Sequence, residues 1–212
     1  FLNISISGNA KPGIIDINFL DDNVLVDKFK FSLLKREKNA SKVEGFNNSD
    51  VMYLITPDRF ANGDLTNDDV KDMYERPNRD NSRGLHGGDI QGVINSLDYI
   101  KDLGFTTVWL NPVIENNMKK SSYHGYSATD YYNIDPRFGT NELFKELNFK
   151  AKKMDIKIVM DMIPNHCGSE HWFFKDPPME DWFNHQSGFK QTSHRRETVP
   201  VSYTHLRAHE TI

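Results

Sequence analysis

The sequence predicts an α/β protein in which a run of β structure precedes the strands and helices of a parallel sheet. Three observations carry this. First, Val51-Met-Tyr-Leu-Ile55, Phe105-Thr-Thr-Val-Trp-Leu110 and Lys157-Ile-Val-Met-Asp-Met-Ile163 are short, mostly apolar runs. That is how strands covered on both faces read. Second, residues 91–103 and 141–154, which separate them, repeat apolar side chains at helical spacing. Third, residues 1–46 lack that spacing and show instead alternating segments broken by turn clusters.

Taken in order, residues 1–7 alternate apolar and polar positions and predict a half-exposed strand. Gly8-Asn-Ala-Lys-Pro-Gly13 predicts a turn, residues 14–20 a second strand, Asp21-Asp-Asn23 a turn, and residues 24–34 a third strand. Short strands at this spacing suit the end of a β-sandwich. Residues 36–48, charged and polar with one glycine, form the linker. Beyond it come strand 51–55, a polar loop to about Asp89, helix 91–103 with Gly104 at its C-terminal cap, and strand 105–110. A second polar loop runs to Thr140, followed by helix 141–154 and strand 157–163. Each interval has its long loop after the strand and a tight turn before the next. That asymmetry puts the working loops at the C-terminal strand ends, as in a β/α barrel.

Composition narrows the function. The chain has 212 residues, 26 basic and 30 acidic, for a net charge of −4. It therefore carries no electrostatic footprint for nucleic acid or an anionic membrane. Hydrophobic content of 37% allows a real core, yet no apolar run approaches a membrane span. Cys167 is the single cysteine, so no internal disulfide forms, and a lone thiol reads as buried and inert. The chain opens without a methionine or a leader, as if in mid-strand, and a preceding segment is expected.

Three places could carry chemistry. The third strand ends in Asp161, Asn165 and His166 around Pro164, either a site wall or a turn whose polar groups satisfy backbone. The first loop holds Asn62, Asp64, Asn67 and Asp68, then His86-Gly87-Gly88-Asp89. Such oxygens suit a hard cation, although the spacing is not that of an EF-hand, and from these residues alone a solvated turn is the expected reading. The second loop offers Tyr123-His124-Gly125-Tyr126, then Asp130, Tyr131 and Tyr132. Aromatic faces with hydrogen-bonding tips fit a sugar ring, and His124 and Tyr126 are the ligand candidates. Tyr131 and Tyr132 are assigned to packing over the rim. His171-Trp-Phe-Phe174 and Asp181-Trp-Phe183 line a substrate or form a small accessory core, and the core is expected for most of them.

Together these residues resemble the α-amylase superfamily of glycoside hydrolases, family 13. Asp161-Met-Ile-Pro-Asn165-His166 matches the pattern that ends the third barrel strand there. Tyr123-His-Gly-Tyr126 with Asp130-Tyr131 resembles the segment after the second strand, and His86-Gly-Gly-Asp89-Ile-Gln91-Gly92 resembles the start of the first barrel helix. The run Asp58-Arg-Phe-Ala-Asn-Gly-Asp64 and the β segment before it look most like the cyclomaltodextrinase and neopullulanase branch. The resemblance implies the first three β/α units of a (β/α)8 TIM barrel over residues 47–166. Residues 1–46 would end an N-terminal, immunoglobulin-like β-sandwich, and residues 167–200 would begin an excursion after the third strand.

By the same resemblance, Tyr126 stacks on the sugar at the cleavage subsite with His124 beside it, and His166 hydrogen-bonds a sugar hydroxyl. Gln91 faces the cleft, while Asp161 and Asn165 hold the strand end in shape. Asn62, Asp64, Asn67, Asp68, the Gly87 carbonyl and Asp89 surround a calcium ion. The implied activity is retaining hydrolysis of α-1,4-glucans (maltodextrin, cyclomaltodextrin, pullulan or starch), and the implied assembly is a homodimer of the full-length protein through its sandwich domain. A retaining glycosidase needs a nucleophile and an acid/base. The family carries both on later strands, so the chain as given is expected to be an inactive N-terminal fragment with an open apolar sheet edge. Residues 201–212 resemble a translated adapter sequence and are read as a non-native tail. Two rival readings stand beside this one: a non-catalytic sugar-binding or transport-accessory protein on the same barrel, and a calcium-stabilised structural domain.

Overall fold

A computed structural model describes residues 4–36, 45–180 and 182–183. The chain divides into two compact units, Phe1–Gly45 and Phe46–Ile212, each treated by itself below. The expected excursion beyond Phe183 and the 201–212 tail lie outside the described residues.

In the first unit, β1 (Gly13–Asp21) and β2 (Val24–Leu33) form an antiparallel hairpin. Its two-residue turn places Asp22 and Asn23 at φ 47° and 64°, the left-handed pair that matches strand twist. Ile15 faces Phe31 and Ile17 faces Phe29, whereas Asp16 faces Lys30 and Asn18 faces Lys28, so one side of the hairpin is apolar. Residues 4–7, expected to be a strand, form none. Among the described residues there is one hairpin, not two packed sheets, and Ile14 and Phe29 stay 69% and 55% exposed.

In the second unit, β3 (Met52–Ile55), β4 (Thr107–Leu110) and β5 (Lys157–Met160) make a parallel sheet in that order. The register is fixed by Met52, Thr107 and Lys157 at one end and Ile55, Leu110 and Met160 at the other. Below the sheet, Asp50 ties the strand starts together. It accepts from Thr106 Oγ1 at 2.9 Å and Lys157 Nζ at 2.8 Å, while Thr106 Oγ1 accepts from the Val51 amide.

A single turn, α1 (Pro57–Phe60), follows β3. The helix expected over residues 91–103 is two pieces, α2 (Ile90–Asn95) and α3 (Leu97–Asp102). Ser96 causes the break: its hydroxyl donates back to the Gly92 carbonyl at 2.8 Å, a bond that competes with the helical ladder. Gly104, at φ 85°, closes α3 with paired bonds from Gly104 N to Lys101 O and from Phe105 N to Ile100 O. Helix α4 (Asn141–Lys153) starts under a Thr140 side-chain cap to Leu143 N, and ends in the same double bond with Asp155 in the left-handed position, φ 54°. No helix among the described residues is long and apolar enough to cross a membrane.

The helices cover one face of the sheet. Ile55, Val108 and Leu110 pack with Ile90, Val93, Leu97, Ile100, Leu147 and Ala151 into a continuous core, with Tyr53, Ile158 and Met160 against it. Full burial of each aliphatic side chain contributes about 1.5–3 kcal/mol. Strands buried on both faces were expected, and here the structure differs. Leu54, Trp109 and Val159 share the opposite face by alternation; Leu54 is 57% exposed, and β5 is half-buried throughout.

Candidate functional site

The C-terminal ends of β3, β4 and β5 lead into the loops that hold the candidate residues. After β4 the chain passes Pro112 and runs to a 3₁₀ turn at Ser122–His124. Gly125, φ 79°, then presses against the Pro112 carbonyl, where a Cβ would come within 2.0 Å. Only glycine fits both the dihedral and the contact. This brings Tyr126 to the end of β5.

There the predicted residues meet. Tyr126 Oη donates to Asp161 Oδ2 at 3.1 Å. His166 Nε2 lies 2.9 Å from the Tyr126 carbonyl, which accepts, and His166 Nδ1 lies 3.3 Å from Asn165 Nδ2. His124 Nδ1 accepts from the Tyr126 amide at 2.9 Å, and the two rings are 5.8 Å apart. Burial, then the Asp161 charge, pushes the Tyr126 hydroxyl up to about 12, so it remains a donor. Burial also lowers His124, against a weaker opposing pull from Glu75. A neutral His124 that accepts at Nδ1 carries its proton on Nε2, ready to donate.

Tyr131 does more than pack. Its hydroxyl donates to the His166 carbonyl at 2.8 Å and so fixes the backbone under that imidazole; burial pushes it, too, up to about 12. Tyr132 is 74% exposed. Gln91 stands apart from this cluster. It sits on α2, donates to Asn95 Oδ1 at 2.7 Å, and has its Cβ beside Gly63.

The accessory core expected from residues 171–174 and 181–183 is corrected by the structure. Among the described residues of this stretch only His171 is buried, whereas Trp172, Phe174 and Trp182 are 40%, 53% and 44% exposed. Stacked and edge-on contacts join these rings, and with Tyr131, Pro164 and His166 some of them line a cavity of about 680 Å³. Cys167, expected to be buried, is half-buried at that wall, and burial raises its thiol pKa.

The first loop also closes on itself. Asp89 caps α2 and is fully buried: Gly92 and Gly63 amides donate to Oδ1, and the Asp64 amide and Asn67 Nδ2 donate to Oδ2. Asn62 Nδ2 donates to Asp68 Oδ1 at 2.6 Å, and a Cβ on Gly87 would meet both of those side chains. Asp64 is held below the usual carboxylate range by the Thr66 hydroxyl and amide. Asn62 Oδ1 and Asn67 Oδ1 are buried without a hydrogen-bond partner. Buried, unpaired carbonyl oxygens beside carboxylates are the donors a hard cation takes, so the residues fit calcium. Among the described residues no group of three or more His, Cys, Asp and Glu side chains is placed to hold a metal.

Several residues that frame the site were not legible in the sequence. Asp58, 2% exposed, pairs with Arg59 Nε at 2.8 Å and accepts from the His86 and Gly87 amides. Arg59 in turn lies over the Tyr123 ring at 4.1 Å and donates to Gly84 O. Asp135 and Arg137 form a buried ion pair at 2.7 Å, whose partners fix Asn116 at the base of the second loop. Their motif looks like an ordinary turn, and the contacts span up to 62 residues.

The fold and these residues define a class: a β/α protein whose candidate site lies at its C-terminal strand ends, beside an aromatic loop. Residues 54–211 match the alpha-amylase catalytic domain. The chain belongs to the alpha-amylase family. It is 40% identical over 143 residues to a cyclomaltodextrinase of Thermoanaerobacter pseudethanolicus, covering 63% of this chain and 24% of that protein. It is 36% identical over 141 residues to neopullulanase 2 of Thermoactinomyces vulgaris, covering 63% and 23%. Among solved structures, a cyclic α-maltosyl-(1→6)-maltose hydrolase of Arthrobacter globiformis in complex with maltose superposes with a TM-score of 0.54 at 35% identity, over 69% of this chain and 34% of the other. The chain thus spans about a quarter of the length of the two enzymes named.

Proposed function

We propose that the protein containing this chain hydrolyses α-1,4-glucans with retention, in the manner of cyclomaltodextrinases and neopullulanases, and that this chain supplies one wall of the cleavage subsite. The observation that carries the reading is the convergence of His124, His166 and Asp161 on Tyr126 beside the end of β5, in a chain of this family. Tyr126 offers a ring face for the C–H surface of a glucose unit, with its hydroxyl tethered so that the ring holds one orientation. Neutral His124 presents its Nε2 N–H to the hydroxyl rim, and His166, whose Nε2 donates to the Tyr126 carbonyl, lines the same wall. Tyr131 keeps His166 in place through its carbonyl.

Retention needs two carboxyl groups about 5 Å apart. Asp161 is already engaged with Tyr126 and is the one strand-end carboxylate at this site among the described residues, so we assign nucleophile and acid/base to other segments of the whole protein. The 212 residues alone would bind sugar weakly and not cleave it. In the first loop, Asn62, Asn67, Asp64, Asp68, the Gly87 carbonyl and Asp89 would hold calcium, whose contribution is charge that pins the loop rather than chemistry on the substrate. The support is the pair of orphaned amide oxygens.

Full-length protein assayed on maltodextrin tests the proposal. We expect release of products in the α configuration and a loss of about tenfold or more in kcat/KM for Tyr126→Ala, from the lost ring contact. No hydrolysis by a folded wild-type protein, or inversion of configuration, would overturn it.

A further inference from the structure

We propose that Glu75 is a positioning residue, holding the turn at residues 121–126 in the shape that presents His124 and Tyr126 to the sugar; this rests on the α-glucan reading above and deepens it. Glu75 lies in the first loop, yet its carboxylate reaches across 46 residues. Oε1 accepts from the Ser121 amide at 3.0 Å and Oε2 accepts from the Ser122 amide at 2.6 Å. Ser121 sits at φ 60°, ψ 28°, in the left-handed region. For a residue with a Cβ this costs about 1 kcal/mol and persists only where the surroundings impose it. Two charge-assisted bonds from one carboxylate impose it here.

The turn is therefore pinned at both ends. Glu75 fixes its start, and at its end Gly125 donates to Ser122 O at 3.1 Å while lying against Pro112 O. Between those pins stand Tyr123 and His124, and Tyr126 follows at once. Ser122 is held further by Asn116 Nδ2 on its carbonyl and by its own hydroxyl on Met118 O. Glu75 is anchored in turn: Arg137 Nη1 donates to its carbonyl at 3.2 Å, and Arg137 is locked to Asp135. The neighbouring Tyr74 amide donates to Asn117 Oδ1, so the whole strap follows the second loop.

The test compares full-length wild type with Glu75→Gln, which keeps the shape but turns one acceptor into an N–H facing a backbone N–H. We expect KM for maltodextrin to rise about tenfold, the size of one charge-assisted bond, with kcat changing less. Amide hydrogen exchange across 121–126 should quicken in the same variant. Adding Ser121→Gly should recover part of the affinity, because glycine takes the left-handed dihedral without strain. A cap that only stabilises the fold would lower the melting temperature and leave KM where it was. An active Glu75→Gln protein with wild-type KM overturns the proposal. If Glu75→Gln does not fold, Glu75→Asp, which keeps the charge but reaches one amide, reads the same effect at smaller amplitude. If wild type neither binds nor cleaves maltodextrin, the α-glucan reading is what fails. The exchange data then decide for Glu75, and unchanged protection at 121–126 sinks it.

Discussion

Tyr126 and Asp161, 35 residues apart, share a hydrogen bond of 3.1 Å between phenol and carboxylate. The bond ties the second loop to the end of β5. It also separates two functions of one side chain, since the ring can stack without the hydroxyl. In Tyr126→Phe the ring remains and the tether goes; a hydrogen bond to a charged group is worth about 1.5–3 kcal/mol. Steady-state kinetics on maltodextrin should therefore show a smaller loss for Tyr126→Phe than for Tyr126→Ala. Equal losses would mean that the ring face contributes nothing.

Asp50 makes the sheet acid-sensitive. Its carboxyl is pulled down to about 2 from 3.8, chiefly by the Lys157 hydrogen bond and then by the Asn47 amide. A depressed carboxyl stabilises the fold fully above its unfolded value and loses that contribution as pH falls through the folded one. The loss should fall between about pH 4 and 2. Denaturation curves taken through that window should show a shallower acid dependence for Asp50→Asn, which also begins less stable at neutral pH.

Asp155 closes α4 at φ 54° on an exposed surface. Glycine accepts that dihedral freely, and the two closing bonds are main-chain, so they survive the change. Asp155→Gly should raise stability by about 0.5–1 kcal/mol. A lowered midpoint in chemical denaturation would show that the Asp155 side chain contributes more than its dihedral costs.

The proposed calcium site predicts that the first loop, with its orphaned Asn62 and Asn67 oxygens, responds to a divalent cation. Chelation should lower the melting temperature of wild type, and added calcium should restore it. In Asn62→Ala the midpoint should respond far less to either treatment. Identical responses in the two proteins would locate any cation elsewhere.

Much of the second unit could be read from residue order. Each parallel strand announced itself as an apolar run, and α4 as a periodic one, because a face packed against helices needs a defined spacing. The pairing of Tyr126 with His166 was approachable too, since both sit in motifs at strand ends. What escaped was long-range polar pairing. Glu75, Arg59 and Arg137 look like ordinary loop charges, and nothing local announces that their partners lie dozens of residues away. The break at Ser96 escaped for a different reason. A single hydroxyl turning back on Gly92 overrides a pattern that is otherwise helical from end to end.

The half-covered sheet has a meaning for biosynthesis. At about 5–20 residues per second, these 212 residues occupy a ribosome for roughly 10–40 s. Within that interval β3, β4 and β5 can pair and gather the helices that pack on one face of the sheet. The side bearing exposed Leu54, with Trp109 and Val159 half-covered beside it, then faces the crowded space around the ribosome as a partly open apolar strip. For as long as it stays open, that strip is a natural target for holding chaperones, and crowded nascent chains would compete with them for it.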